Sequence, residues 1–168
     1  MRALKILLAI SGVLLALFAG AFVQMRKSQA DWEAEGLTRW PMRGEAIERP
    51  GGRKLRVWCE GQGTRVILEA SGLGGADAYE RMLELLRARA RVCAYDRAGY
   101  GYSDPRAEET TIAALADDLW AVAQHAGGSG PVILVGASYG GLVAQYAARA
   151  HGPEVGALVL LDAVSTGA

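Results

Sequence analysis

Pro131–Ala150, PVILVGASYGGLVAQYAARA, joins a short apolar run to an amphipathic helical pattern through Gly136-Ala137-Ser138-Tyr139-Gly140. Strand, G-x-S-x-G, helix leaves few folds open to the chain. The sharp turn at the end of a buried strand holds its serine, here Ser138, in a strained conformation with the hydroxyl exposed. Glycines two before and two after let neighbouring backbone come close without a Cβ clash. The amide of Tyr139 opens the helix and points at the same spot, where it can stabilise an oxyanion. Ser138 is therefore the candidate nucleophile; the competing reading is an ordinary helix N-cap serine.

The surrounding pattern supplies a matching frame. Val66–Leu68, Val92–Tyr95, Pro131–Val135 and Ala157–Leu161 are apolar runs of strand length. Between them lie helical spacings: Tyr79, Met82, Leu83 and Leu86; then Ile112, Leu115, Leu119 and Val122; then Leu142, Val143 and Tyr146, expected to face the core. Asp77 with Glu80, and Thr111, are placed to cap helices. Gly127–Gly130 and Gly152-Pro153 end them. From residue 65 the order is β-α-β-α-β-α-β, which predicts a mainly parallel sheet with helices on both faces. Upstream, Gly44–Arg49 and Arg53–Glu60 flank the turn Pro50-Gly51-Gly52. The second of these strands alternates. Leu55, Val57 and Cys59 point one way; Arg56, Trp58 and Glu60 point to an expected wetter face, as suits an antiparallel strand.

Lys5 and Arg26 bracket 20 uncharged residues, ILLAISGVLLALFAGAFVQM. That length spans a bilayer as a helix and exceeds the apolar region of a typical signal peptide, although Ala19-Gly20-Ala21 offers a cleavage pattern. The expected organisation is an anchor or signal over 1–25, a polar linker over 26–43 and a partial domain over 44–168. Arg2 and Lys5 nearly balance Arg26 and Lys27. The short head and long C-terminal part favour a domain outside the cytoplasm, anchored or, after cleavage, secreted. Eighteen basic residues against eighteen acidic ones, with no basic tract, give no basis for nucleic acid as a partner. Cys59 and Cys93 are too few for a disulfide framework or a metal site.

Three segments, in order, carry a family resemblance: Ser71-Gly72-Leu73-Gly74-Gly75 after the third strand, Asp96-Arg97-Ala98-Gly99-Tyr100-Gly101-Tyr102-Ser103-Asp104 after the fourth, and the elbow at Ser138. Over roughly residues 44–162 the chain resembles the N-terminal part of an α/β-hydrolase of the serine type. The resemblance implies backbone N–H groups of Leu73 and Tyr139 as an oxyanion hole. It implies that Asp96 binds loop amides and Arg97 makes a salt bridge, both structural. Ala137 stands where a histidine is frequent in that family, and Ser71-Gly72 where His-Gly is common. The family's triad runs Ser, then Asp or Glu, then His. After Ser138 come Glu154, Asp162 and His151, with His151 ahead of Asp162. His151 also lies a dozen helical residues from Ser138, about 20 Å away. It and His125 are better read as helix-terminal residues, and Asp162 is a minor candidate for the acid. The fold is thus expected to stop after about the sixth strand, with the usual acid and histidine beyond Ala168. The same fold sets the second strand beside the fourth, which makes a Cys59–Cys93 bridge feasible; two buried free thiols are the alternative. The implied activity is hydrolysis of an ester, amide or related acyl bond in a small-molecule substrate, without a cofactor. Acyl transfer by the same serine and a non-catalytic binding module stay open.

Overall fold

A computed structural model describes residues 2–39 and 41–164, the side chains of 2–9 and 37 excepted. The chain divides into one unit ending at Met42 and another beginning at Arg43. The first is a single helix, α1 (Arg2–Arg39). Within it Ile10–Gly36 is long and apolar enough to cross a membrane, by length and composition. The segment expected as a polar linker is helical up to Arg39. Its Lys, Gln, Ala and Glu content favours helix, and Gln29 donates to Glu33 one turn on, at 3.1 Å.

The second unit carries β1 (Glu45–Glu48), β2 (Lys54–Glu60), β3 (Arg65–Glu69), α2 (Glu80–Leu86), β4 (Arg91–Tyr95), α3 (Ile112–His125), β5 (Val132–Ala137), α4 (Tyr139–Ala150) and β6 (Val155–Leu161). The sheet order is β1-β2-β4-β3-β5-β6. Strands β3 to β6 run parallel, and β2 is antiparallel to both β1 and β4. Successive side chains on a strand face opposite ways. Ile67, Cys93, Tyr95 and Leu134 therefore pack under α3 and α4, while Leu68, Val92 and Ala94 pack with Tyr79 and Leu83 on the α2 side. Both faces of the central strands β3 and β4 are covered, as their apolar sequences require. Thr111 caps α3 by accepting from the Ala114 amide at 3.2 Å.

Three local expectations change. The Arg56–Trp58 side of β2 is not wet. Arg56 is fully buried and Trp58 nearly so, because the segment from Ala76 to Leu86 covers them. Asp77 caps no helix; it takes both terminal nitrogens of Arg56, each at 2.8 Å. Tyr146 faces solvent, and α4 buries Gly141, Val143, Ala144 and Ala147 instead. At the start of that helix Gly140 lies against the Ala70 and Glu69 carbonyls, and Gly141 against Ala163.

Cys59 stands directly opposite Cys93 across β2 and β4, Cα to Cα 4.1 Å, and the two are bridged. A second tie is ionic. The buried carboxylate of Asp118 on α3 accepts from Arg49 at 2.9 Å, Arg53 at 2.7 Å and Arg106 at 2.6 Å. One side chain thus joins the β1–β2 turn, the loop after β4 and α3. At the far side of the sheet, β6 pairs only with β5 among the described residues. Val159, Leu160 and Leu161 on it remain exposed.

Candidate active site

The C-terminal ends of β3, β4 and β5 bring three loops together, and Ser138 stands at the end of β5. Its backbone is at φ 50°, ψ −118°, a region that side chains disfavour and that is held only when the surroundings over-determine it. The glycines show how. A Cβ on Gly136 would lie 2.6 Å from the Gly140 carbonyl oxygen. One on Gly140 would lie 2.2 Å from the Ala70 oxygen and 2.6 Å from the Glu69 oxygen. The elbow is therefore pressed against the end of β3 with no room for a methyl group. From the other side, the Ser138 amide donates to the Leu161 carbonyl at 3.0 Å, and the Val164 amide donates to the Ser138 carbonyl at 3.1 Å. Ser138 is exposed at the top of this clamp.

Leu73 belongs to the loop after β3. The residue is 92 % exposed, its side chain in solvent. Gly72, one residue before, runs beside the elbow: a Cβ there would be 3.9 Å from the Tyr139 Cβ. Tyr139 is the first residue of α4, so its amide is one of the unpaired N–H groups of a helix start. A depression of about 430 Å³ opens at this point, lined by Gly72, Arg97, Tyr100, Thr110, Leu115 and Tyr139. It is walled mainly by aromatic and aliphatic side chains, and it has room for a small acyl group.

Asp96 and Arg97 hold the loops. Asp96 accepts from the Ala76 amide at 2.7 Å and the Tyr102 amide at 3.0 Å, with Arg56 at 3.3 Å. It is spent on backbone and one cation. Arg97 donates through Nε to Glu69 and through Nη2 to the carbonyls of Ala70 and Ser71, the last at 2.7 Å. Its guanidinium carbon lies 5.4 Å from the centre of the Tyr139 ring. Burial pushes the Glu69 carboxyl up, against the pull of Arg97 and of the Tyr95 hydroxyl, which donates to the other carboxylate oxygen. Tyr95, wholly buried beside that carboxylate, is held in its neutral form.

Sequence reasoning passed over Glu69, Tyr95, Arg56 and Asp118. One signal was available: a charged residue ending an apolar strand, or set between two core positions, must be buried with a partner. The histidines sit elsewhere. His125 Nε2 is 3.0 Å from Glu45. His151 stacks on Trp120, ring centres 3.8 Å apart, with Nδ1 3.7 Å from Glu154. Asp162 follows β6, exposed and at φ 45°. Among the described residues, neither histidine joins Ser138.

A family model for the alpha/beta hydrolase fold matches residues 64–168. A thermophilic esterase from Thermogutta terrifontis superposes with a TM-score of 0.66 at 28 % identity, over 72 % of this chain and 46 % of that one. An esterase from Exiguobacterium antarcticum gives 0.65 at 28 % identity, over 71 % and 45 %. Lipase LipV of Mycobacterium tuberculosis is 45 % identical over 71 residues, 42 % of this chain and 26 % of the lipase. The chain spans less than half the length of each of these proteins.

Proposed function

Because the chain belongs to the α/β-hydrolase fold family, we propose that it is the Ser138-bearing part of a serine hydrolase acting on an ester, amide or related acyl bond. The observation that carries the reading is the exposed Ser138 at a left-handed φ of 50°, on an elbow whose glycines admit no side chain. A serine is held in such a conformation at a cost, and presenting the hydroxyl is what that cost obtains. The esterase and lipase relatives support an ester as the substrate class.

In this reading Ser138 Oγ attacks the acyl carbon, and a general base takes its proton. The carbonyl oxygen gains negative charge, held by the amides of Leu73 and Tyr139. The tetrahedral species collapses, and the alcohol or amine leaves with the proton returned by the same base. Water then attacks the acyl-enzyme, the acid product leaves, and Ser138 is restored. The base and the acid that orients it are contributed by residues outside 1–168, since His125 and His151 are engaged with Glu45, Trp120 and Glu154. The apolar helix α1 anchors the protein in a membrane with the hydrolase domain outside the cytoplasm.

The test is hydrolysis of a p-nitrophenyl ester by the protein from the complete reading frame that carries this chain. Ser138→Ala should lower kcat by about 10³-fold or more with an unchanged circular dichroism spectrum, and residues 1–168 alone should not exceed background. A Ser138→Ala protein as active as wild type would refute the serine mechanism.

A further inference from the structure

We propose that Arg97 is a positioning residue whose guanidinium sets the places of the Leu73 and Tyr139 amides around the reacting oxygen. The inference rests on the serine-hydrolase reading above.

Each of those amides lies on a segment that needs holding. The loop after β3 has no side-chain anchor at its tip, because Leu73 stands in solvent. Its place depends on the backbone just upstream. There Arg97 Nη2 binds two successive carbonyls, Ala70 and Ser71. The Ser71 carbonyl shares one rigid peptide plane with the Gly72 N–H. Gripping that oxygen orients the plane that leads into Leu73. The turn is closed behind it by the Gly74 amide donating to the Ser71 carbonyl at 3.3 Å. The second amide belongs to Tyr139, whose ring lies against the same guanidinium. One buried cation therefore touches both segments that supply the oxyanion donors.

Arg97 is itself fixed. Glu69 accepts from its Nε, the Tyr95 hydroxyl donates to the other Glu69 carboxylate oxygen, and the Tyr79 hydroxyl donates to the Glu69 carbonyl at 2.9 Å. The planar guanidinium presents its donors in a fixed fork, which a lysine ammonium does not reproduce. The bond between Glu69 and Arg97 thus sets where the two loop carbonyls sit.

The magnitude follows from how exacting an oxyanion hole is. Donors act at about 2.7–3.1 Å from the developing oxygen, and losing one costs about 10²–10³-fold in kcat. A displacement of about 1 Å costs on the order of 10²-fold.

The experiment compares Arg97→Met and Arg97→Lys with wild type in the complete protein, on a p-nitrophenyl ester and on its thionoester. Sulfur accepts hydrogen bonds weakly, so a well-placed oxyanion hole favours the oxygen ester. Arg97→Met should lower kcat on the ester by about 10²-fold with KM within about threefold, and the ester-to-thionoester ratio should fall in step. Arg97→Lys, which keeps the charge beside Glu69 but not the fork, should fall between. Equal slowing of both substrates, leaving the ratio unchanged, would mean a merely structural role and overturn the inference. So would a kcat within threefold of wild type. If thermal melts show Arg97→Met unfolded, Arg97→Lys decides by the same ratio. Ser138→Ala separates the two claims. If it stays active, the serine reading fails and takes this one with it. If it is inactive while the Arg97 ratio is unchanged, only the positioning role fails.

Discussion

Breaking the bridge between Cys59 and Cys93 should weaken the domain by an amount that the chain itself sets. The two residues are 34 apart in sequence and face each other across β2 and β4. In the chain-entropy account, closing a loop of that length removes about 12.6 cal/mol/K from the unfolded state, or about 3.8 kcal/mol at 25 °C. Little of this should be offset by lost packing, since Cys93 stays in the core and Cys59 is half-buried in either form. The assay is urea unfolding of residues 1–168 in a mild detergent, which shields α1, with and without a thiol reductant. At a slope of roughly 1.5 kcal/mol per molar for a domain of this size, the midpoint should fall by about 2.5 M on reduction. The slope should rise, because the uncrossed unfolded chain exposes more surface. Cys59→Ala with Cys93→Ala should match the reduced wild type. Midpoints within about 0.5 M of each other would refute the reasoning, and would place the stabilising restraint in the native ladder of β2 and β4.

Two further outcomes test the frame around Ser138. Gly140→Ala drives a methyl group into the carbonyls of Ala70 and Glu69, which are backbone and cannot swing away; it should lower stability by about 1–3 kcal/mol in a urea melt, and a neutral variant would show that the elbow does not rest on β3. Asp77 titrates below the usual carboxylate range because Arg56 donates to it and attracts it, against partial desolvation. Its folded pKa is depressed, so the stability it contributes is present above about pH 4, its unfolded value, and is lost as pH falls through the lower folded one. Thermal melts between pH 2 and pH 6 should show a shallower acid decline in Asp77→Asn than in wild type, and parallel curves would remove Asp77 from the account.

The parts of this molecule that were legible in sequence are those whose causes are local. A G-x-S-x-G between a strand and a helix carries its own steric reason, and the glycines at 136 and 140 fit backbone as that reason demands. The apolar runs and the Thr111 cap likewise depend on near neighbours. What sequence did not yield was the pairing of buried charge. Glu69 meets Arg97 across 28 positions, and Asp118 meets Arg49 across 69. Nothing near either acid in sequence announces its partner. Arg56 reads as a solvated residue on an alternating strand until the segment from Ala76 onward is laid over it with Asp77 facing in. Asp77 in turn looks like a helix cap, because a short acid before a helical pattern has two uses and only the fold selects one. The bridge stays open in sequence for a similar reason. Strand order allowed it, but register decides, and a shift of one residue would have turned one sulfur to the opposite face.

Strand β6 has a consequence for handling the chain. Its seven residues, Val155 to Leu161, hold no charge and no proline, and three of its large side chains are uncovered. Natural sheets guard a free edge with lysine, proline or a bulge that discourages a second strand from docking. On β6 the register slips at Gly156, between Val155 and Ala157, but the remaining residues to Leu161 carry no such guard, so a further strand can pair along them and cover the exposed leucines. Val159→Lys would put a charge on that edge and should hinder such pairing.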